Sequence, residues 1–332
     1  MIAAVPVEFS DSTLATDIGN GLIGVEKLLT EAAQAEEALL TEASRHLIDA
    51  GGKRFRATLV LLSAQFGDPR DERIVPAATA IELTHLATLF HDDVMDEAAI
   101  RRGHESANSR WDNTIAILTG DFLFARASSI LADLGAEAIR IQARTFTQLV
   151  SGQVAETLGP RPGQDPLAHY LRVVEDKTAS LIATAGHFGA MFAGAPDDVV
   201  QRIRSACHAI GVAWQLSDDI LDVASESAES GKAPGTDLRE GVRSLPVLHA
   251  LAAPAGPDGD RLHELLSLDG LADESLHAEA LALLRAHPAM DAARADLARW
   301  VAVVQAQVTG LPDLPARHAF ETICEFVRDR TS

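Results

Sequence analysis

Apolar residues recur along this chain at i, i+3, i+4 and i+7, the spacing that gathers them on one face of an α-helix. The pattern predicts helices over about 20–50, 56–66, 72–98, 107–133, 135–157, 166–194, 197–224, 243–252, 274–286, 289–308 and 316–330, with ends placed to within roughly 2–4 residues. Alternating Val/Ile/Thr runs between turn pairs, the mark of strands, are hard to find. Polar stretches containing Gly or Pro punctuate the helices at 159–166, 225–236, 253–259 and 310–315. None is long or biased enough for an interdomain linker, and no low-complexity tract occurs. The expectation is one all-α domain over residues 1–332, with its chemical motifs within 50–246 and none after about residue 255.

Composition and charge change this picture in four ways. With 332 residues, 47% of them hydrophobic, the chain can bury a large core, which excludes wholesale disorder. Cys207 and Cys324 are the only cysteines and lie far apart, so neither a disulfide scaffold nor a thiolate zinc site is expected. No basic stretch with a following apolar run opens the chain, and no apolar run reaches the roughly 18 residues of a membrane span. A soluble, cytoplasmic protein without a transmembrane segment is therefore expected. Finally, 28 Lys+Arg against 48 Asp+Glu give a formal charge of −20. That balance argues against nucleic acid and against docking on anionic lipid. An anionic substrate would need a local device to overcome the field.

Two carboxylate motifs supply a candidate device. Asp92-Asp93-Val94-Met95-Asp96 and Asp218-Asp219-Ile220-Leu221-Asp222 are both DDxxD, and both follow apolar helical stretches, 81–90 and 210–216. On a helix, i and i+4 lie one above the other, so Asp92 pairs with Asp96 and Asp218 with Asp222; Asp93 and Asp219 point about 100° to the side. Like charges so placed repel unless a cation bridges them. Oxygen-only donors suit a hard cation such as Mg²⁺, which completes its shell with water and phosphate oxygens. One such motif could be an ordinary solvated acidic face; two, each closing an apolar helix, point to metal binding. The EF-hand spacing is absent.

The cations are distributed unevenly. Lys27, Lys53, Lys177 and Lys232 are the only lysines; every other such charge is Arg. Lys53 lies in Gly51-Gly52-Lys53-Arg54-Phe55-Arg56, where glycines admit close approach of an anion and Lys53 and Arg56 offer donors. Arg101 and Arg102 follow the first motif, Lys177 precedes Thr178, and Lys232 lies in a Gly/Pro loop after the second motif. Singly, each reads as a surface cation; together, beside the acidic motifs, they predict a polyanion site. His85 and Gln215 lie near the two motifs, where each has a packing role as its plainer reading. Trp111, Trp214 and Trp300 read as packing.

These residues resemble the trans-type isoprenyl (polyprenyl) diphosphate synthases over about residues 50–246. The matching segments are GGKRFR at 51–56, LTHLATLFHDDVMDEAAIRRG at 83–103, Lys177-Thr178, WQLSDDILD at 214–222 and GKAPGTDLREG at 231–241. The resemblance implies an all-α barrel of antiparallel helices around a deep central cavity, a homodimer, and two Asp motifs facing each other across the cavity mouth. It implies Mg²⁺, three ions with substrate bound, held by Asp92, Asp96 and Asp218, with Asp93, Asp219 and Asp222 in support. Arg101, Lys177, Thr178, Gln215 and Lys232 match allylic-diphosphate positions; Lys53, Arg56, His85 and Arg102 match those for isopentenyl diphosphate. Asp92, Asp96, Lys177, Asp218 and Lys232 would carry the chemistry. One departure stands out: a Lys common after the Glu-Gly of the last segment is Val242 here, with Arg243 one position later.

The implied reaction is metal-assisted ionisation of the allylic diphosphate, attack by the isopentenyl double bond, and proton loss to the departing pyrophosphate. In this family an aromatic four or five residues before the first motif stops a short product. Those positions are Thr88 and Ala87 here, with Thr84 one turn deeper, all modest in size. A product longer than farnesyl diphosphate is therefore expected, a long chain of the quinone side-chain type, with Phe122 or Phe124 as a deeper stop. Geranylgeranyl diphosphate is the alternative product. A class I terpene cyclase and a head-to-head synthase are disfavoured by Lys53, Arg56 and the intact second motif. A non-catalytic subunit of a two-component synthase is disfavoured by both Asp motifs being present.

Overall fold

The computed structural model describes residues 9–225, 234–254, 257–268 and 270–331. In chain order the helices are α1 (Ser12–Ala32), α2 (Ala38–Asp49), α3 (Phe55–Ala64), α4 (Ile74–Met95), α5 (Ala107–Arg110), α6 (Asn113–Asp133), α7 (Ala136–Leu158), α8 (Pro166–Val173), α9 (Ser180–Phe192), α10 (Asp197–Ala224), α11 (Thr236–Arg239), α12 (Leu245–Ala252), α13 (Pro257–Leu266), α14 (Glu274–Ala286), α15 (Ala289–Thr309) and α16 (Pro315–Asp329). A π-helical turn, Val174–Ala179, joins α8 to α9. Strands β1 (Ile100–Arg101) and β2 (His104–Glu105) form one short hairpin. The all-α expectation holds. The chain divides into two compact units: one takes the residues up to Thr147 with Leu181–Cys207 and Gln307–Thr322, the other Gln148–Ser180, His208–Ala306 and the residues from Ile323.

The first unit is built on α4. Ile81, Leu83, Leu86 and Phe90 are fully buried along it, and α3 buries every residue but Arg56, as a helix surrounded by others does. Glycines set the spacing: a Cβ on Gly120 of α6 would lie 3.0 Å from Ala87 O and run into the His91 ring. The second unit is built on the end of α10, where Leu216, Ile220 and Val223 are buried, as are Leu245 and Val247 of α12 and Leu297 and Val301 of α15.

Several helix limits differ from the pattern. The run predicted over 20–50 is two helices, because Thr41 Oγ1 takes Ala35 N at 2.9 Å and diverts the backbone from the helical ladder. The first of them starts at Ser12, where Asp11 accepts from Leu14 N at 2.8 Å. The stretch 107–133 breaks at Asp112, whose side chain caps α6. Helices α11 and α13 and the β1–β2 hairpin fall in stretches predicted as loop or helix end. Among the described residues, α6 alone is long and apolar enough to cross a bilayer by length and composition. Its buried side packs on α4, which a core helix of a soluble protein also does.

Candidate active site

The first carboxylate motif closes α4, with Asp96 as its C-cap residue. Carboxylates are unfavourable at this negative helix end without a compensating cation. The chain supplies one by folding back. Arg102 (φ 54°) and Gly103 (φ 76°) form a two-residue turn with both centres left-handed, the geometry that matches strand twist. The hairpin so made returns Arg101 to the motif, where its Nε donates to Asp93 Oδ1 at 2.5 Å. Asp93 is fully buried. Its Oδ2 has no hydrogen-bond partner, and burial, opposed by Arg101, raises its carboxyl pKa. Asp92 is half-buried and Asp96 exposed.

Arg102 donates to the carbonyls of Leu47 (2.8 Å) and Gly51. A Cβ on Gly52 would sit 3.1 Å from its guanidinium, so the glycine lets that backbone press against the cation. Arg54 turns inward onto Glu26 (2.5 Å) and lies 4.0 Å from Glu82, which also accepts from Ala57 N at 2.9 Å. Arg56 buries its Nε without a partner; burial lowers its basicity, with Glu82 opposing. Burial, then repulsion from Arg54, brings Arg102 down to about 10. His85, half-buried, is pushed well below its ordinary value by burial and then by Arg56, Arg102, Arg54 and Arg101. Four guanidiniums thus act on one neutral imidazole, an arrangement that a polyanion relieves. Lys53 is exposed at the edge of this segment.

Deeper along α4, Ala87 and Thr84 are buried and Thr88 is half-buried. Thr84 Oγ1 donates to Ala80 O at 2.8 Å and accepts from Gln142 Nε2 at 3.2 Å. Phe124 stacks on Phe146 with ring centres 4.0 Å apart, and Arg126 lies 5.0 Å over Phe122.

In the second unit, Asp218, Asp219 and Asp222 occupy the last two turns of α10. Asp219 is buried and accepts from Tyr170 Oη (2.5 Å), Gln215 Nε2 (3.0 Å) and Leu245 N (2.9 Å). Burial, with these hydrogen bonds opposing, lifts its carboxyl to about 6. Asp222 accepts from Thr236 N and Asp237 N, both at 3.1 Å, and so caps α11. Asp218 is exposed and pairs with Arg330 Nη2 at 2.8 Å. Lys177 and Thr178 lie not in an α-helix but in the π-helical turn, a feature frequent at functional sites. Gly152 of α7 faces that turn: a Cβ there would lie 2.6 Å from Lys177 N. One turn on, Glu156 pairs with Lys177 Nζ. Lys232 lies outside the described residues. Arg243 and Val242 are both exposed.

Among the described residues, no group of three or more His, Cys, Asp or Glu side chains is gathered as a metal centre. The donor chemistry nonetheless fits a hard divalent cation. Every candidate ligand is a carboxylate oxygen, and Asp93 Oδ2 is a buried acceptor with no partner. The structure divides the six carboxylates. Asp93 and Asp219 are buried on protein donors and Asp222 is half-buried on the backbone of α11, while Asp96 and Asp218 are exposed, Asp218 on Arg330.

Sequence reasoning did not find Tyr170, Glu82, Glu156 or Arg330. Tyr170 is the only tyrosine in the chain, and Glu82 is a lone acid in an apolar run, so both carried a signal. Glu156 lies four residues after Gly152 on the same face, which has meaning only once the π-turn is placed. Nothing in the sequence marks Arg330.

Residues 37–284 match the polyprenyl synthetase family. The chain is 48% identical over 326 residues to a nonaprenyl diphosphate synthase of Mycobacterium tuberculosis, covering 98% of this chain and 96% of that protein. Among solved structures, it superposes with a TM-score of 0.89 on geranylgeranyl pyrophosphate synthase from Corynebacterium glutamicum, complexed with calcium and isoprenyl diphosphate. That match has 41% identity and covers 98% of this chain and 100% of that one. A decaprenyl diphosphate synthase from Rhodobacter capsulatus matches with a TM-score of 0.86 and 33% identity, covering 96% and 99%. The chain belongs to the polyprenyl synthetase family. It is a prenyltransferase with that family's helical fold.

Proposed function

We propose that the chain condenses isopentenyl diphosphate with an allylic diphosphate, head to tail and in the trans configuration, to a product longer than farnesyl diphosphate. A long polyprenyl diphosphate, of the kind attached to quinone rings, is the reading preferred. The observation that carries it is the set of cations beside the first motif: the hairpin returns Arg101 to Asp93, Arg102 lies against the Gly52 backbone, and Arg56 buries its Nε without a partner. A diphosphate replaces the mutual repulsion of these groups with charge-assisted hydrogen bonds.

In this reading Lys53, Arg56, His85 and Arg102 bind the diphosphate of isopentenyl diphosphate. Arg101, Lys177, Thr178, Gln215 and Lys232 receive the allylic diphosphate. Asp92, Asp96 and Asp218 would hold Mg²⁺, with Asp93, Asp219 and Asp222 fixing their surroundings. Three ions with substrate bound is the expected count. When bound, Mg²⁺ withdraws charge from the diphosphate and favours loss of that leaving group. Arg101 and Lys177 add fixed positive charge on the same leaving oxygens. The allylic C–O bond breaks, the isopentenyl double bond attacks the resulting carbocation, and the proton released passes to pyrophosphate. A dry helical lining of Ala, Leu and Val would exclude water that quenches the cation.

Product length rests on Ala87, Thr88 and Thr84, none of which is an aromatic stop. The long-chain names of the Mycobacterium and Rhodobacter proteins favour the same reading. Geranylgeranyl diphosphate is the second product reading, favoured by the Corynebacterium protein's name. Both compact units serve one catalytic domain in this proposal. A homodimer is supported by α6, which exposes Ile117 and Leu118 on a helix apolar enough to cross a membrane. The free, buried Cys207 and Cys324 suit a reducing, cytoplasmic setting.

The test is incubation with isopentenyl diphosphate, farnesyl or geranylgeranyl diphosphate and Mg²⁺, followed by chromatography of the dephosphorylated products. Alcohols longer than farnesol are expected. No elongation at saturating Mg²⁺, or a ladder ending at farnesol, overturns the proposal.

A further inference from the structure

Asp218 is not alone on its face of α10. Trp214 precedes it by four residues and so lies one turn below it on that face, and Ser217 is its immediate neighbour in the chain. Arg330, just past α16, engages all three. Its Nη2 lies 2.8 Å from Asp218 Oδ1 and donates to Trp214 O at 2.9 Å; its Nε donates to Ser217 Oγ at 2.6 Å. The guanidinium stacks 4.3 Å over the Trp214 ring and lies 5.9 Å from that of Phe326. Its side chain is only 14% exposed.

This differs from an ordinary surface ion pair, whose two flexible partners lose entropy to meet in water. The guanidinium is fixed by a backbone carbonyl, a hydroxyl and an aromatic face before it reaches the carboxylate. Burial lowers its basicity and Asp218 opposes that effect, so the two charges depend on each other. A carboxylate held at one oxygen by a rigid fork has its plane and rotamer set, which is what a metal ligand requires of its surroundings. Lysine, a point charge that neither stacks nor forks, cannot reproduce it.

We propose that Arg330 is a positioning residue for the metal site, holding the carboxylate of Asp218 in the orientation that binds the divalent cation. The inference rests on Asp218 being a ligand, as in the function proposed above. It gives the segment after α16 a role that no motif of the sequence suggests.

The test measures cation binding directly: Mn²⁺ affinity by electron paramagnetic resonance with inorganic pyrophosphate as co-ligand, in the full-length protein. Arg330→Met keeps an apolar stem over Trp214 and removes the fork. A 10–100-fold loss of Mn²⁺ affinity is expected, with a matching rise in the Mg²⁺ concentration for half-maximal turnover. Arg330→Lys is expected to restore part of the loss. Should Arg330→Met fail to fold, a smaller loss in Arg330→Lys carries the same test. Asp218→Asn is measured in parallel. If Asp218→Asn weakens Mn²⁺ binding while neither Arg330 variant does, the inference falls and the function stands. If Asp218→Asn has no effect either, the ligand assignment of Asp218 falls, and the inference with it.

Discussion

Gly152→Ala offers the sharpest test of how the chain places Lys177. The added Cβ would lie 2.6 Å from Lys177 N and 3.0 Å from Asp176 Cβ. Ordinary contact begins near 3.5 Å, so α7 and the π-turn must separate by about 0.9 Å. Neither neighbouring atom is the end of a flexible side chain, and the strain falls on backbone. Overpacking of this kind costs about 1–3 kcal/mol. Alanine returns about 1 kcal/mol of helix propensity within α7. The net loss of stability is then about 0–2 kcal/mol, a shift of a few degrees in Tm. The catalytic effect should be larger, because a misplacement of about 1 Å costs on the order of 10²-fold in rate. The expected result is a fall in kcat of about 10–100-fold with Tm almost unchanged, read by steady-state kinetics with saturating isopentenyl diphosphate and by thermal melting. Gly19→Ala is the control: nothing lies within 4 Å of its Cβ position, so it should leave kcat unchanged. A Gly152→Ala protein with wild-type kcat and a wild-type melt would refute the reasoning that Gly152 sets the position of Lys177.

Three further outcomes are expected. Asp92→Ala should reduce turnover by about 10³-fold or more, since it removes a proposed ligand of the ion that stabilises leaving-group charge; near-normal turnover at saturating Mg²⁺ contradicts the assignment. Ala87→Phe should shorten the product, with thermal melting as the check on folding; an unchanged chromatographic ladder removes Ala87 from the floor. His85 has a folded pKa well below that of the unfolded chain. Below about pH 6.5 the unfolded chain binds a proton there that the folded chain refuses, so stability falls as pH drops, by at most about 1.4 kcal/mol per unit. It is level above that pH. His85→Gln should flatten this limb, and parallel stability curves for the two proteins between pH 7 and 5 would show that His85 is not its source.

The helical class and both carboxylate motifs were legible because each rests on local order. A helix repeats every 3.6 residues, so apolar spacing and an Asp at i and i+4 read directly from the chain. The misread ends have physical causes that spacing does not encode. Gly19, Gly21 and Gly24 weaken the helical signal around residue 20, yet all three lie inside α1, where a Cβ on Gly21 or Gly24 would press on Leu61 or Val75. The break between α1 and α2 comes from one threonine hydroxyl, and a chain without Gly or Pro there gives no warning. The hairpin went unseen because its turn requires Arg102 at a positive φ, a conformation that few side chains adopt.

Residue identity and short spacing were enough to point to a cation site and a polyanion site, and the resemblance carried by those segments implied the reaction class. The formal charge of −20 did not oppose this, since the field that matters is local. Tertiary structure alone decided the division of labour among the six aspartates. Asp93 faces inward onto Arg101, Asp219 onto Tyr170, and Asp222 onto the start of α11. It also decided that burial, and then four guanidiniums, push the His85 pKa down, and that Arg330 reaches Asp218 across more than a hundred residues of sequence. These contacts join residues from 8 to 112 positions apart, none of them at the local spacing of a helix turn. Their strength comes from burial, which lowers the local dielectric and removes competing water, and burial is a property of the packed fold.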